Sequence, residues 1–223
     1  MTAFPERTQA MIGRLRRLLL VLVIVFVAAG CGRTPQLTPL PPGSEVLAFG
    51  DSITFGSGAS PGDDYPARLA TISGWRIRNA GIPGDTAEGA RVRLRELLGE
   101  ARPALILIEI GGNDFLRRRP EAAVRDDLRT LVADGKRSGS QVVLVAVPKL
   151  SLFGAVSGRL PDSPIYAEVA QEEGVPLVAG VLAAILSDAA LKADPIHPNA
   201  EGYRQLAAGI ADQLRRSGLL AGR

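Results

Sequence analysis

The chain has 223 residues, with one histidine and one cysteine, and its formal net charge is +3. Four arginines and one glutamate in the first thirty residues account for that charge, so the rest of the chain is close to neutral and its basic isoelectric point is no argument for a nucleic-acid partner. A single cysteine excludes an intrachain disulfide and any zinc site built from several cysteines.

The first thirty residues have the pattern of an export signal. Several arginines precede an uninterrupted apolar run over residues 18–29. That run is shorter than the roughly 20 residues that a membrane-spanning helix needs, and it ends in small residues typical of a cleavage site. We therefore predict a signal peptide over residues 1–30.

Cys31 follows three small residues, a pattern that resembles the lipobox of bacterial lipoproteins. The resemblance implies a lipid on Cys31, followed by a Pro-rich tether over residues 31–43. We expect the protein to be exported and held at a membrane through this lipid, facing the periplasm or the cell surface. Cleavage without lipidation is the alternative, and it predicts a soluble periplasmic or secreted protein.

The body of the chain, residues 44–218, is predicted to be one domain in which short apolar runs alternate with helical patterns. Strands are predicted at 45–49, 75–80, 104–110, 141–147 and 175–180, and helices at 66–73, 86–100, 121–138, 162–173 and 200–216. Such alternation favours right-handed crossovers, and hence an α/β fold with a five-stranded parallel sheet between layers of helices. Ligands bind beyond the carboxyl ends of such strands.

Ser52 follows Gly50 and Asp51 directly after the first predicted strand. A serine hydroxyl is a poor nucleophile unless a base lies beside it, and a glycine permits the sharp turn that exposes the hydroxyl above the sheet. A short turn in which these residues cap a helix is the alternative interpretation.

Two further segments after strands offer hydrogen-bond donors. Asn113, in the segment GGND, carries a side-chain N–H, and Gly81, in the segment NAGIPGDT, has a backbone N–H; both types of donor stabilise an oxyanion. Glu109 interrupts an otherwise apolar strand, and we expect it to accept hydrogen bonds in a supporting role. Asp85 is interpreted as part of a helix start.

His197 is the only histidine, and Asp194 precedes it by three residues in the segment DPIHPN. At this spacing a carboxylate accepts a hydrogen bond from imidazole Nδ1–H, which fixes the tautomer and stabilises the imidazolium. Proline residues on both sides of the histidine restrict the backbone. These features favour a catalytic base over a surface histidine.

Together these residues resemble the SGNH hydrolases, also called GDSL-type esterases and lipases, and are most similar to the bacterial periplasmic thioesterase, lysophospholipase and arylesterase branch. The resemblance implies a flavodoxin-like three-layer fold without metal or cofactor. It also implies that Ser52 is the nucleophile, His197 the base and Asp194 its orienting group. The implied oxyanion hole consists of the backbone N–H groups of Ser52 and Gly81 and the side chain of Asn113.

The loop over residues 148–162 does not match a particular branch of that family. Its apolar side chains are interpreted either as the lining of an acyl channel or as an ordinary buried loop. These side chains are Leu150, Leu152, Phe153 and Val156.

The expected reaction is hydrolysis of the carboxylic ester or thioester of an acyl group through an acyl-serine intermediate. We expect a small acyl-ester substrate, a membrane partner only through the lipid, no nucleic acid, no cofactor and a monomer. Carbohydrate O-acetyl ester hydrolysis at the same Ser-His-Asp site is the alternative.

Two alternatives belong to other classes of protein. One is a lipoprotein that kept the fold for binding and has no catalytic activity. The other is a binuclear metallophosphoesterase, for which a single histidine supplies too few nitrogen ligands. Its candidate ligands are Asp51, Asn113, Asp114, Asp194 and His197.

Overall fold

The computed structural model describes residues 37–149 and 160–222. The predicted signal peptide and Cys31 lie outside the described residues, as do Leu150, Leu152, Phe153 and Val156. Within the described part of the chain, no helix has the length and apolar character needed to cross a membrane.

Five parallel strands form the centre of the fold. They are β1 (Glu45–Gly50), β2 (Arg76–Gly81), β3 (Leu105–Glu109), β4 (Gln141–Val145) and β5 (Leu177–Val178). Their order across the sheet is β2-β1-β3-β4-β5, which is the flavodoxin-like order. The five predicted strands and the predicted fold class are therefore confirmed.

β5 is shorter than predicted, with two residues in place of six. Pro176 before it has no N–H to donate to the sheet, and Gly180 after it has a φ of 76°, which is outside the range of a strand. Both residues restrict the hydrogen-bonded ladder to the centre of the apolar run.

Helices connect the strands and continue after β5. They are α1 (Ser52–Phe55), α2 (Tyr65–Ser73), α3 (Ala87–Glu100), α4 (Gly112–Leu116), α5 (Glu121–Arg137), α6 (Ile165–Glu173), α7 (Val181–Ser187) and α8 (Ala200–Arg216). The five predicted helices correspond to α2, α3, α5, α6 and α8. The sequence does not predict α1 and α4, which are single turns after glycines, or α7, whose apolar run shows no helical period.

The helices lie in two layers on the sheet. α8 packs against α2 and α7, whereas α5 packs against α3 and α6. The central strand β3 is covered on both faces, and Leu105, Ile106, Leu107 and Ile108 are all fully buried. Each such side chain contributes about 1.5 to 3 kcal/mol of burial free energy, so this strand anchors the three-layer fold.

The chain before β1 packs on the body from Leu37 onward, although the sequence predicts a tether up to residue 43. The Thr38 N–H donates to Oε1 of Gln141, the first residue of β4, at 2.8 Å, and the Leu40 N–H donates to the Leu219 carbonyl at 2.9 Å. This segment therefore lies at the amino-terminal ends of the strands. Leu219 is fully buried, so the packed body continues past residue 218.

Candidate active site

Ser52 is the first residue of α1 and stands at the carboxyl end of β1. The Asp51 side chain caps this helix by accepting the Ile53 N–H at 3.0 Å. A Cβ at Gly50 would lie only 2.1 Å from the Glu109 carbonyl oxygen, so the turn before Ser52 requires glycine. The segment is thus both a helix cap and a sharp strand-to-helix turn, and it leaves the Ser52 hydroxyl at the edge of the sheet.

The single histidine lies beside Ser52. Its Nε2 is 2.9 Å from Ser52 Oγ, and its Nδ1 is 2.7 Å from Asp194 Oδ2. The other carboxylate oxygen of Asp194 accepts the backbone N–H groups of Ile196 and His197, both at 2.9 Å. The structure therefore brings Ser52, His197 and Asp194 together in the order that a general base and its orienting carboxylate require.

Asp194 is held in its ionised form. Partial burial alone would raise the pKa of its carboxyl group, but the hydrogen bonds from the His197 ring and from the backbone N–H groups of Ile196 and His197 hold that pKa below its usual value. An ionised carboxylate accepts the Nδ1–H bond and leaves Nε2 unprotonated toward the serine.

Asn113 lies on α4 with its side chain beside the serine turn. Its Nδ2 donates to the Asp85 carbonyl at 2.9 Å and lies 3.3 Å from Asp51 Oδ2. The amide is therefore fixed between the segment after β1 and the segment after β2. It lines the same pocket as Ser52.

Gly81 has a structural reason to be glycine, because a Cβ there would lie 2.1 Å from the Phe55 backbone nitrogen. Its N–H donates to Asn79 Oδ1 at 2.9 Å, so that donor is already engaged.

The Gly84 N–H, in the same loop, has no hydrogen-bond partner among the described residues. Gly84 precedes Asp85, whose carbonyl accepts the Asn113 amide, and its φ is 80°. The sequence prediction does not include Gly84.

Glu109 is fully buried beneath the serine turn. The Thr54 hydroxyl donates to its Oε2 at 2.8 Å, which is the supporting role expected from the sequence. Its Oε1 has no partner within the described part of the chain. Burial raises the pKa of Glu109 well above its usual value, and the nearby Asp51 carboxyl raises it further. Burial likewise raises the pKa of Asp51, to about 7.

A pocket opens beside Ser52 and Asn113 and continues along an apolar wall. The apolar side chains of this wall are Ile53, Leu116, Val147, Leu182, Leu186 and Ile196. Two large apolar side chains in the segments next to Ser52 are exposed, namely Phe55 at 55% and Ile82 at 47%. The side chains around the hydroxyl are therefore largely apolar, although the cavity itself has a volume of only about 10 Å³.

The residues considered as metal ligands are engaged elsewhere. Asp114 accepts the Ala87 N–H at 2.9 Å and an Arg119 N–H at 2.8 Å, while Asp194 faces His197. Among residues 37–149 and 160–222, no group of three or more His, Cys, Asp or Glu side chains is arranged to hold a metal ion.

Comparisons with known proteins find similar sequences and a similar fold. Residues 48–205 match the model of the GDSL-like Lipase/Acylhydrolase family. Esterase TesA of Pseudomonas aeruginosa is 33% identical over 181 residues, which cover 78% of this chain and 89% of that protein. Thioesterase 1/protease 1/lysophospholipase L1 of Escherichia coli is 31% identical over 173 residues, which cover 76% and 83%. A crystal structure of TesA superposes with a TM-score of 0.68 at 30% identity, covering 78% of this chain and 99% of that one.

Proposed function

Because the chain belongs to the GDSL-like lipase/acylhydrolase family and is an ester hydrolase, we propose that Ser52 is its nucleophile, His197 its general base and Asp194 the group that orients the base. The observation that carries this assignment is the continuous hydrogen-bonded series from Asp194 through His197 to the Ser52 hydroxyl, with distances of 2.7 and 2.9 Å.

The reaction follows from this arrangement. His197 Nε2 takes the Ser52 proton while Oγ bonds to the carbonyl carbon of the substrate, and the resulting imidazolium then protonates the departing alcohol or thiol. Water, deprotonated by the same imidazole, attacks the acyl-serine ester, releases the carboxylic acid and restores the Ser52 hydroxyl. Asp194 stabilises the imidazolium in both halves.

We assign the oxyanion hole to the backbone N–H groups of Ser52 and Gly84 and the Asn113 side chain. The sequence predicts Gly81 in place of Gly84, but the Gly81 N–H is bound to Asn79. The Asn113 amide has two N–H groups: one keeps its 2.9 Å bond to the Asp85 carbonyl, and the other leaves the longer 3.3 Å contact with Asp51 Oδ2 to reach the oxyanion. A crystal structure of the Ser52 adduct with an alkyl phosphonate tests the assignment, because the phosphoryl oxygen should lie about 3 Å from Gly84 N and farther from Gly81 N. Asn113→Ala should lower kcat roughly 10²- to 10³-fold.

The decisive test of the nucleophile and base is the hydrolysis of p-nitrophenyl esters by the chain and by Ser52→Ala and His197→Ala. Each variant should lose about three decades or more of kcat, as members of one catalytic unit do. Ser60→Ala, an exposed serine of the same loop region, is the matched control and should keep full activity. Retained activity in His197→Ala would exclude it as the base, and an inactive parent chain would favour a protein that only binds.

For the substrate we propose carboxylic esters and thioesters of apolar acyl groups. The apolar wall beside Ser52 supports this proposal, as do the esterase, thioesterase and lysophospholipase names of the relatives. The parent chain should hydrolyse an octanoyl ester with a higher kcat/KM than the acetyl ester. A strong preference for acetyl would favour the alternative, hydrolysis of O-acetyl groups on carbohydrates.

We propose that the protein is exported and carries a lipid on Cys31. The arginines, apolar run and small residues before that cysteine support this. The parent chain should sediment with membranes, and Cys31→Ser should move to the soluble exported fraction. A parent chain found in the soluble fraction would favour cleavage without lipidation.

A further inference from the structure

Arg93, on α3, lies beneath the loops that form the active site. Its Nε and Nη2 donate to Asp85 Oδ2 at 3.0 and 2.7 Å, its Nη1 donates to the Ala80 carbonyl at 2.6 Å, and its Nη2 donates to the Gly50 carbonyl at 3.0 Å. The guanidinium carbon also lies 4.0 Å from the centre of the Phe49 ring. One side chain thus joins the carboxyl ends of β1 and β2 and the loop that follows β2.

Two of the three residues that accept hydrogen bonds from Arg93 are close in sequence to a proposed catalytic group. Gly50 lies two residues before Ser52. Asp85 directly follows Gly84, and its carbonyl accepts the Asn113 amide at 2.9 Å. The guanidinium is therefore connected to the nucleophile turn and, through Asp85, to both the backbone donor and the side-chain donor of the oxyanion hole.

The contacts of Arg93 require its particular shape. The side chains of Arg93 and Asp85 are only 17% and 14% exposed, so the ion pair is shielded from water and its geometry is restrained. A guanidinium directs five N–H groups in one plane, whereas a lysine ammonium is a point charge with three donors and does not reproduce that planar set of contacts. Arg93 does not line the pocket beside Ser52.

We propose that Arg93 is a positioning residue for ester hydrolysis. Its guanidinium sets the separation between the Ser52 turn and the loop of Gly84 and, through Asp85, the direction of the Asn113 amide. The proposal rests on the catalytic roles given under Proposed function. It goes beyond them because neither the sequence motifs nor those roles include a residue of α3.

The effect should appear in kcat and not in KM. A misplacement of about 1 Å at a reacting centre costs roughly 10²-fold in rate, and Arg93 does not line the pocket in which we expect the substrate to bind. Arg93→Lys in the full chain should therefore lower kcat about 10²-fold with KM within about twofold of the parent. The rate at which an alkyl p-nitrophenyl phosphonate modifies Ser52 should fall in parallel, since that reaction uses the same oxyanion donors.

Arg95→Lys is the matched control. Arg95 lies on the same helix and its Nε donates to Oδ2 of the buried Asp134 at 2.8 Å, so the variant changes an ion pair away from the serine turn. The Arg95 side chain is 54% exposed and Asp134 also pairs with Arg137, so we expect a smaller fall in Tm for Arg95→Lys than for Arg93→Lys, with parental kcat only in Arg95→Lys. Asp85→Asn keeps the carbonyl that binds Asn113 and should give a smaller loss of kcat than Arg93→Lys.

The proposal is wrong if Arg93→Lys keeps kcat within about threefold of the parent at a temperature where it is fully folded, or if its defect lies in KM. It is also wrong if Arg95→Lys loses as much kcat, because the effect would then be general destabilisation. Ser52→Ala is assayed beside them. Retained activity in that variant overturns the proposed function, whereas an inactive Ser52→Ala beside an unaffected Arg93→Lys overturns only the role of Arg93.

Discussion

Two buried carboxyl groups, Asp51 and Glu109, lie beside Ser52 on the same pocket, and they connect protein stability to pH. Glu109 accepts one hydrogen bond from Thr54, and burial keeps its pKa well above the ordinary value. In the folded protein this carboxyl therefore keeps its proton at pH values where the unfolded chain releases it. The folded state then binds more protons than the unfolded state, and the free energy of unfolding falls as pH rises from about 4.5 through the raised pKa.

Glu109→Gln should weaken this pH dependence. Glutamine cannot ionise and still offers an oxygen to Thr54, so the variant should lose less unfolding free energy than the parent between pH 5 and pH 8. Urea unfolding at unit steps of pH measures the difference. Glu96→Gln, at an exposed position on α3, is the control and should follow the parent. Parallel curves for the parent and Glu109→Gln would contradict the raised pKa.

The sequence places the proposed catalytic residues Ser52, Asn113 and His197 because each polar side chain directly follows a strand or precedes the last helix, and the structure brings Ser52 and His197 into contact. The choice between Gly81 and Gly84 is not predictable, because both glycines share one loop and only the fold shows which N–H is already bound. Arg93 is also not predictable, since an arginine in a helix rich in arginine has the pattern of a solvated face.

At the scale of elements, hydrogen bonds at the start of the helix that follows His197 hold the loop that carries this histidine. Asn199 caps α8 by accepting the Gly202 N–H at 3.0 Å, and its Nδ2 donates to the Ala190 carbonyl at 2.8 Å. The Ala193 N–H donates to the His197 carbonyl at 3.0 Å, which closes the loop on itself. The start of α8 and the loop that carries the histidine are thus one hydrogen-bonded unit.

Asn199→Ala should therefore lower the stability of the protein and also displace the His197 side chain. Loss of the cap alone costs about 0.5 to 2 kcal/mol of unfolding free energy, and loss of the bond to Ala190 frees the loop before the histidine. We expect a lower urea midpoint and a reduced kcat. Asn199→Asp keeps the capping oxygen but not the Nδ2 donor, so it should recover most of the stability and less of the kcat. A variant that recovers both equally would show that the Nδ2 bond does not position His197.

The long elements of the fold are predictable because each has a clear period or a continuous apolar run flanked by glycine or proline. The short ones are not: α1 is a single turn capped by Asp51, and α4 is a single turn without a side-chain cap. Neighbouring structure leaves no space for a Cβ at Gly50 before α1 or at Gly111 before α4. Since these turns carry Ser52 and Asn113, the local structure of the site depends on tertiary contacts that no sequence window contains.

At the scale of the whole molecule, the described chain places its beginning and its active site at opposite ends of the sheet. Thr38 contacts Gln141 at the amino-terminal end of β4, whereas Ser52 follows the carboxyl end of β1. A strand of six residues such as β1 extends about 3.3 Å per residue, or roughly 20 Å. If Cys31 carries a lipid, as we propose, the domain is attached by the end that lies away from the catalytic hydroxyl.

This arrangement predicts that the anchored enzyme reaches dissolved esters more readily than esters in the membrane that holds it. Five residues separate Cys31 from Leu37, and at about 3.6 Å per residue they extend no more than roughly 20 Å, which is about the length of β1. In proteoliposomes, the full chain and Cys31→Ser should hydrolyse a soluble short-chain ester at the same rate. The full chain should hydrolyse an acyl ester embedded in its own vesicles more slowly than Cys31→Ser does. Insertion of a Gly-Ser linker of about 30 residues after Gly32, with a mean span of roughly 30 Å, should raise only the rate on the embedded ester. If the linker changes neither rate, the catalytic end already reaches the anchoring membrane, and the attachment through Cys31 does not restrict it.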